Sequence, residues 1–352
     1  MKTIQNLLRL TVTAACLAGA LPTQAERIYG LESNNTLFTF DSATPGTTTT
    51  VRILSGVLIN QSIVGIDFRP ATNQLVAMSY DTANLTGYLY RVDTTTAVLT
   101  VLGSGFALPA GTTGTDWAFD FNPVVDRIRA VNGSTFRNFR FNPDTGGLAG
   151  SDTNITPAVA LYGAAYSNNV AGATSTTLFV YNHTANQFGT LGGGGGMPSP
   201  NAGQFFSLGS SGFTANSVAL DLDISKISGV GYAVLRNTVN PGGALYTINT
   251  ATGAFTLVGA ITGRTVSDLS VDPVVVDISY QVSVTISPSK GGKVTGEGSY
   301  DAGSNVTLKA KARKGFSFVG WYEDGNRISK KAKLKISNLT GDRNLRAKFE
   351  ED

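Results

Sequence analysis

Short apolar runs separated by clusters of Gly, Thr, Ser, Asn and Asp repeat along most of the chain. Five of these runs share one pattern: an aromatic one residue in, a variable residue, an apolar residue, then Asp or Asn. They are Leu37-Phe38-Thr39-Phe40-Asp41, Leu89-Tyr90-Arg91-Val92-Asp93, Asn138-Phe139-Arg140-Phe141-Asn142, Leu178-Phe179-Val180-Tyr181-Asn182 and Leu245-Tyr246-Thr247-Ile248-Asn249. The last residue ends a strand and can bond its own turn backbone, and the run that follows is often apolar again. Each copy predicts a β-hairpin. The copies recur every 40 to 67 residues, roughly the period of propeller blades.

A second series gives five opening strands: 65–70, 118–123, 164–168, 219–223 and 268–273. The first hairpin lacks an opening strand of its own, and the last opening strand has no hairpin after it. The expectation is an all-β fold, a five-bladed β-propeller closed by pairing of its N- and C-terminal strands. Closure removes the open sheet edges that invite aggregation. The fourth blade fits least well, because its second strand is hard to place.

The phrases Gly65-Ile66-Asp67-Phe68-Arg69-Pro70, Phe119-Asp120-Phe121-Asn122-Pro123 with Asp126-Arg127-Ile128-Arg129, and Asn142-Pro143-Asp144-Thr145-Gly146 resemble DUF4394, a family of exported bacterial proteins of unknown function. The resemblance spans roughly residues 27–275. It supports the propeller and implies no activity.

The composition changes near residue 276. Residues 280–352 hold ten Lys and four Arg against eight acidic residues, whereas residues 26–279 hold eleven basic against sixteen acidic. Alternating runs such as Val282–Ile286 and Val306–Ala310 predict strands with one buried face. The pattern Gly292-Lys293-Val294, Tyr300, Gly303, Phe316-Ser317-Phe318-Val319-Gly320-Trp321 resembles the InlB B-type bacterial repeat. That resemblance implies a small β-grasp-like module with a spacer or adhesion role. The excess charge suits an anionic envelope polysaccharide or simply a solvated face. No nucleic-acid motif is present.

The first 25 residues change the picture of location. Lys2 and Arg9 precede an apolar stretch, and Thr23-Gln24-Ala25 supplies the small residues of a signal-peptidase site. The expectation is a signal peptide cleaved after Ala25, a mature propeller over 26–275, a basic domain over 276–352, and no membrane span after cleavage. Cys16 lies within the leader, so the mature chain would have no thiol for disulfides or metal binding.

Candidate chemistry is sparse. His183 is the sole histidine, and other copies carry Ser42, Thr94, Pro143 or Thr250 at its position, so it is a turn residue. Asp67, Asp120 and Asp221 share a place in three opening strands. If those strands are innermost, the three carboxylates can staple neighbouring blades, hold a hard cation such as Ca2+, or serve a polysaccharide hydrolase or lyase as acid and base. Arg127 and Arg129 alternate on one strand and would pair with Asp126 or Asp120, or bind an acidic ligand. The leading expectation is a non-enzymatic exported protein whose propeller binds a glycan or surface protein.

Overall fold

The computed structural model describes residues 25–214, 220–274, 279–301 and 303–352. The expected leader lies outside the described residues except for Ala25. Among the described residues there are strands and two single-turn 3-10 segments but no α-helix.

The described residues between 27 and 271 form five sheets of four antiparallel strands. The first sheet contains β1 (Arg27–Glu32), β2 (Thr36–Asp41) and β3 (Thr44–Ile53). The second is β4 (Ser62–Arg69), β5 (Gln74–Asp81), β6 (Thr86–Val92) and β7 (Leu99–Ala107). The third is β8 (Trp117–Asn122), β9 (Arg127–Asn132), β10 (Arg137–Phe141) and β11 (Leu148–Ser151). The fourth is β12 (Leu161–Tyr166), β13 (Leu178–Asn182), β14 (Gln187–Leu191) and β15 (Phe205–Ser210). The fifth is β16 (Leu220–Ile224), β17 (Gly231–Leu235), β18 (Ala244–Ile248) and β19 (Phe255–Ala260).

The strand β20 (Val266–Val271) returns to the first sheet and pairs with β1, Ile28 opposite Val271 and Gly30 opposite Leu269. The first strands of the sheets neighbour one another in sequence: β4 lies beside β8, β8 beside β12, β12 beside β16, β16 beside β20, and β20 beside β4.

Each pair of neighbouring sheets encloses an apolar cluster, and a repeated aromatic contributes to four of the five, the cluster between the third and fourth sheets being the exception. Phe38 packs between the fifth and first sheets, Tyr90 between the first and second, Phe139 between the second and third, and Tyr246 between the fourth and fifth. Each of these rings sits on a third strand and faces the preceding sheet. Burying a ring of this size stabilises by about 1.5–3 kcal/mol.

The fourth copy behaves differently. Leu178–Asn182 is the second strand of its sheet, so it runs in the opposite direction, and Phe179 faces the following sheet. The displacement by one strand explains the short interval before this copy and the long one after it. The Gly-rich run 192–196 lies within this sheet, between β14 and β15.

The terminal Asp or Asn of every copy closes the next turn. Ala43 N–H donates to Asp41, Thr95 and Thr96 to Asp93, Asp144 to Asn142, Ala185 to Asn182, and Ala251 and Thr252 to Asn249. One of these turns also locks two sheets. Gly146 (φ +68°) brings its backbone onto β7, and a Cβ there would stand 1.8 Å from the Leu102 carbonyl oxygen.

The basic region forms two further sheets. β21 (Ser279–Ser287), β22 (Gly292–Thr295), β23 (Gly298–Asp301), β24 (Val306–Ala312), β25 (Phe316–Glu323), β26 (Asn326–Ser329), β27 (Lys333–Ile336) and β28 (Arg343–Glu351) follow in order. One sheet runs β23-β21-β28-β25-β26 with β21 and β28 parallel, and the other runs β22-β24-β27. Val282, Trp321, Leu345 and Phe349 from the first sheet meet Val294, Leu308 and Ile336 from the second. The β-grasp-like expectation is therefore modified: the small three-stranded sheet, rather than a helix, covers the five-stranded one among the described residues.

Candidate functional site

The opening strands carry five buried aspartates: Asp67 on β4, Asp120 on β8, Asp221 and Asp223 on β16, and Asp268 on β20. Each accepts a backbone N–H from the next first strand. Asp67 Oδ2 accepts from Phe121 (2.9 Å) and Asp120 Oδ1 from Tyr166 (2.9 Å). Asp221 Oδ2 accepts from Leu269 (3.1 Å), Asp223 Oδ2 from Val271 (2.6 Å) and Asp268 Oδ1 from Ile66 (3.2 Å). Ser270 serves the same joint as Asp268, accepting from Phe68 N–H at 3.2 Å. Among the described residues the remaining joint, β12 to β16, has no such carboxylate. There Gly163 (φ +64°) lies against Asp221 and Leu222, where a Cβ would approach within 3.0 Å and 2.8 Å.

A single residue separates Asp221 from Asp223 and Asp268 from Ser270, so the polar groups form two layers about 6–7 Å apart along the strands. In one layer, oxygens of Asp67, Asp120 and Asp223 all lie within 4.8 Å of one another. Ser270 Oγ stands 2.9 Å from Asp67 Oδ1 and 3.2 Å from Asp223 Oδ2. Asp221 and Asp268 occupy the other layer, and Asp221 Oδ1 has no hydrogen-bond partner among the described residues.

The expected trio of Asp67, Asp120 and Asp221 is therefore not the one the fold gathers. Asp223 takes the place assigned to Asp221, and Asp268 joins the group. Two-residue alternation could have found both, since side chains two apart on a strand share a face.

Electrostatically the group is loaded with like charge. Among the described residues none of the five forms an ion pair. Burial pushes the Asp67 carboxyl up to about 7. It also raises Asp120, helped by the charges of Asp67 and Asp223, and raises Asp223, helped by Asp67. Burial likewise raises Asp221, with Asp268 adding to it, and raises Asp268. Charge this dense requires neutralisation by bound protons or by a cation.

The arginines of the motif are engaged by neighbouring groups of the chain. Arg129 is buried and donates to Asp152 (2.6 Å), Asn138 (2.7 Å) and Asn201 (2.5 Å), while Arg140 also holds Asp152 at 2.8 Å. Its partner is thus Asp152, not Asp126 or Asp120. Asp126 instead pairs with Arg69, which also reaches Asp144 at 2.7 Å. Arg127 donates to the Asp126 carbonyl oxygen at 2.8 Å. His183 stands edge-on to Tyr162 at 5.1 Å, and burial lowers its pKa.

A hollow of about 260 Å³ opens where β4, β8, β16 and β20 begin. Ser33, Ser62, Thr115 and Ser267 offer hydroxyls, Asp116 and Asp268 carboxylates, Arg236 a guanidinium and Trp117 an aromatic wall. Among the described residues the indole Nε1 of Trp117 has no hydrogen-bond partner, and Tyr80 packs edge-on against the ring at 5.2 Å. A second hollow of about 440 Å³ lies between the first two sheets, bordered by the ion pair of Arg27 and Asp272. It touches none of the five buried aspartates.

Comparison with known proteins places these features in context. The model of a domain of unknown function, DUF4394, matches residues 36–270, and that of the divergent InlB B-repeat domain matches residues 282–352. No curated protein matches the chain. Similar solved structures include a protein of unknown function from Bacteroides caccae, at 10% identity and a TM-score of 0.42, covering 71% of this chain and 100% of that one. An oligogalacturonate lyase in complex with manganese is 13% identical, covers 67% and 62%, and has a TM-score of 0.34. Myxococcus xanthus glutaminyl cyclase is 10% identical, covers 58% and 88%, and has a TM-score of 0.35.

Proposed function

The chain belongs to the DUF4394 family, and we propose that it is a non-enzymatic binding protein of the cell exterior. In this reading residues 1–25 direct export and residues 26–275 form a five-bladed propeller closed by β20 on β1. Residues 276–352 act as a spacer or adhesion module. The propeller presents its polar hollow to a glycan or a surface protein.

The observation that carries the reading is that hollow. Four first strands open onto it, and its hydroxyls, Asp116, Arg236 and the Trp117 ring suit a polyhydroxylated ligand. The hydrolytic alternative would use the buried aspartates as acid and base, yet all five already accept amide hydrogens from a neighbouring strand. Screening the purified chain against glycans and envelope fractions tests the proposal. Capture that weakens at least about tenfold in Arg236→Ala, with unchanged melting temperature, supports it. Failure to capture any of them, or full affinity in the variant, sinks it.

The convergence of Asp67, Asp120 and Asp223 favours a second, compatible reading, a scaffold stabilised by a hard cation. Oxygens bound to one Ca2+ lie at most about 4.6–5.2 Å apart, and the three carboxylates fall within that bound.

A further inference from the structure

We propose that the outer face of the three-stranded sheet β22-β24-β27 binds a linear carboxylated glycan. Val294, Leu308 and Ile336 point into the core of this domain, which turns Lys293, Lys309, Lys311, Lys333 and Lys335 outward, and all five are exposed. The register sets them side by side. Lys293 stands directly opposite Lys311, and Lys309 directly opposite Lys333. Lys335 faces Thr307, which together with Thr295 supplies the other outward positions of the paired segments.

Like charges directly across antiparallel strands destabilise a sheet. Nothing within the protein offsets the effect here: among the described residues none of the five lysines is in an ion pair. Elsewhere in the same domain cations do find partners, Lys290 with Glu351 at 2.6 Å and Arg343 with Glu323. The outward positions include no acidic side chain. Five lysines rooted about 5 Å apart across strands and 6–7 Å apart along them suit a polymer carrying closely repeated anions. Lysine suits this task because its compact charge sits on a flexible stem and adapts to a repeating chain.

A glycan is favoured over the other polyanions by the adhesion role proposed above. The inference rests on that reading for the class of polymer, and binding is tested without reference to the propeller or its hollow. The purified full-length chain is titrated with polygalacturonate, neutral dextran and double-stranded DNA at low salt and at about 0.15 M salt. The expected result is binding to polygalacturonate that weakens with salt, no binding to dextran, and weaker binding to DNA. In Lys309→Gln/Lys311→Gln/Lys333→Gln the affinity falls at least about tenfold, while the melting temperature holds or rises because repulsion is relieved. Unchanged affinity in this variant, no binding by the parent chain at low salt, or DNA binding as tight as polygalacturonate would overturn the proposal. Loss of capture in Arg236→Ala with polygalacturonate binding intact separates the two sites.

Discussion

The carboxylate of Asp67 accepts the amide hydrogen of Phe121 from the next sheet, at 2.9 Å, so one side chain ties two first strands together. Its other oxygen accepts from Phe68 and stands beside Ser270. Asp67→Ala strands the buried Phe121 amide without an acceptor, which costs about 1–3 kcal/mol. Chemical denaturation should show a lowered midpoint with an unchanged slope. An unaltered midpoint would mean that the joint does not depend on this bond.

Chelator and Asp120→Asn make a second pair of measurements. If a cation occupies the group, Ca2+ raises the melting temperature of the parent chain, and Asp120→Asn abolishes that rise. If protons alone neutralise it, Ca2+ has no effect, and Asp120→Asn raises the melting temperature in either buffer, because the neutral amide is buried without taking up a proton.

Asp152 governs a different balance. Burial alone would raise its carboxyl, but the hydrogen bonds and charges of Arg140 and Arg129 more than offset this and hold it below the usual value. The unfolded chain therefore takes up this proton first on acidification. The stability Asp152 supplies is fully present above about pH 4 and drains away as pH falls through the depressed folded pKa. Asp152→Asn should flatten that acid limb. It should also cost about 3–5 kcal/mol near neutrality, because Arg129 keeps its charge in a buried place. Denaturation midpoints across an acid series measure both effects.

Gly146→Ala should be costly for its size. A positive φ and the nearby Leu102 carbonyl oxygen both oppose a methyl group. Strain of this kind costs about 1–3 kcal/mol before the clash is relieved. A melting temperature equal to that of the parent would show that this turn can shift away from β7.

Much of the architecture was legible in local chemistry. The Asp or Asn at the end of each hairpin copy does what its type dictates, and the count of opening strands anticipated the pairing of β20 with β1. Aligning copies by position hid the rest. It gives each strand a single polar slot, so it passes over Asp223, two positions beyond Asp221, and Asp268 on the last opening strand. It also hid that Leu178–Asn182 had slipped to a second strand, because a pattern of residue types does not state strand direction. Arg129 illustrates a further limit. Alternation assigned it to a strand face, but its partner Asp152 lies beyond a hairpin whose path only the folded chain defines.

Arg27–Glu32 has Val266–Val271 as one of its two strand neighbours, and Glu26 just before it is held by Ser225, Ser228 and Tyr232. During synthesis the earliest of these strands must therefore wait for the latest. A nascent chain emerging from the ribosome keeps one edge of its opening sheet unfilled until nearly the whole body has been made, and that sheet can be completed only after translation has passed Val271.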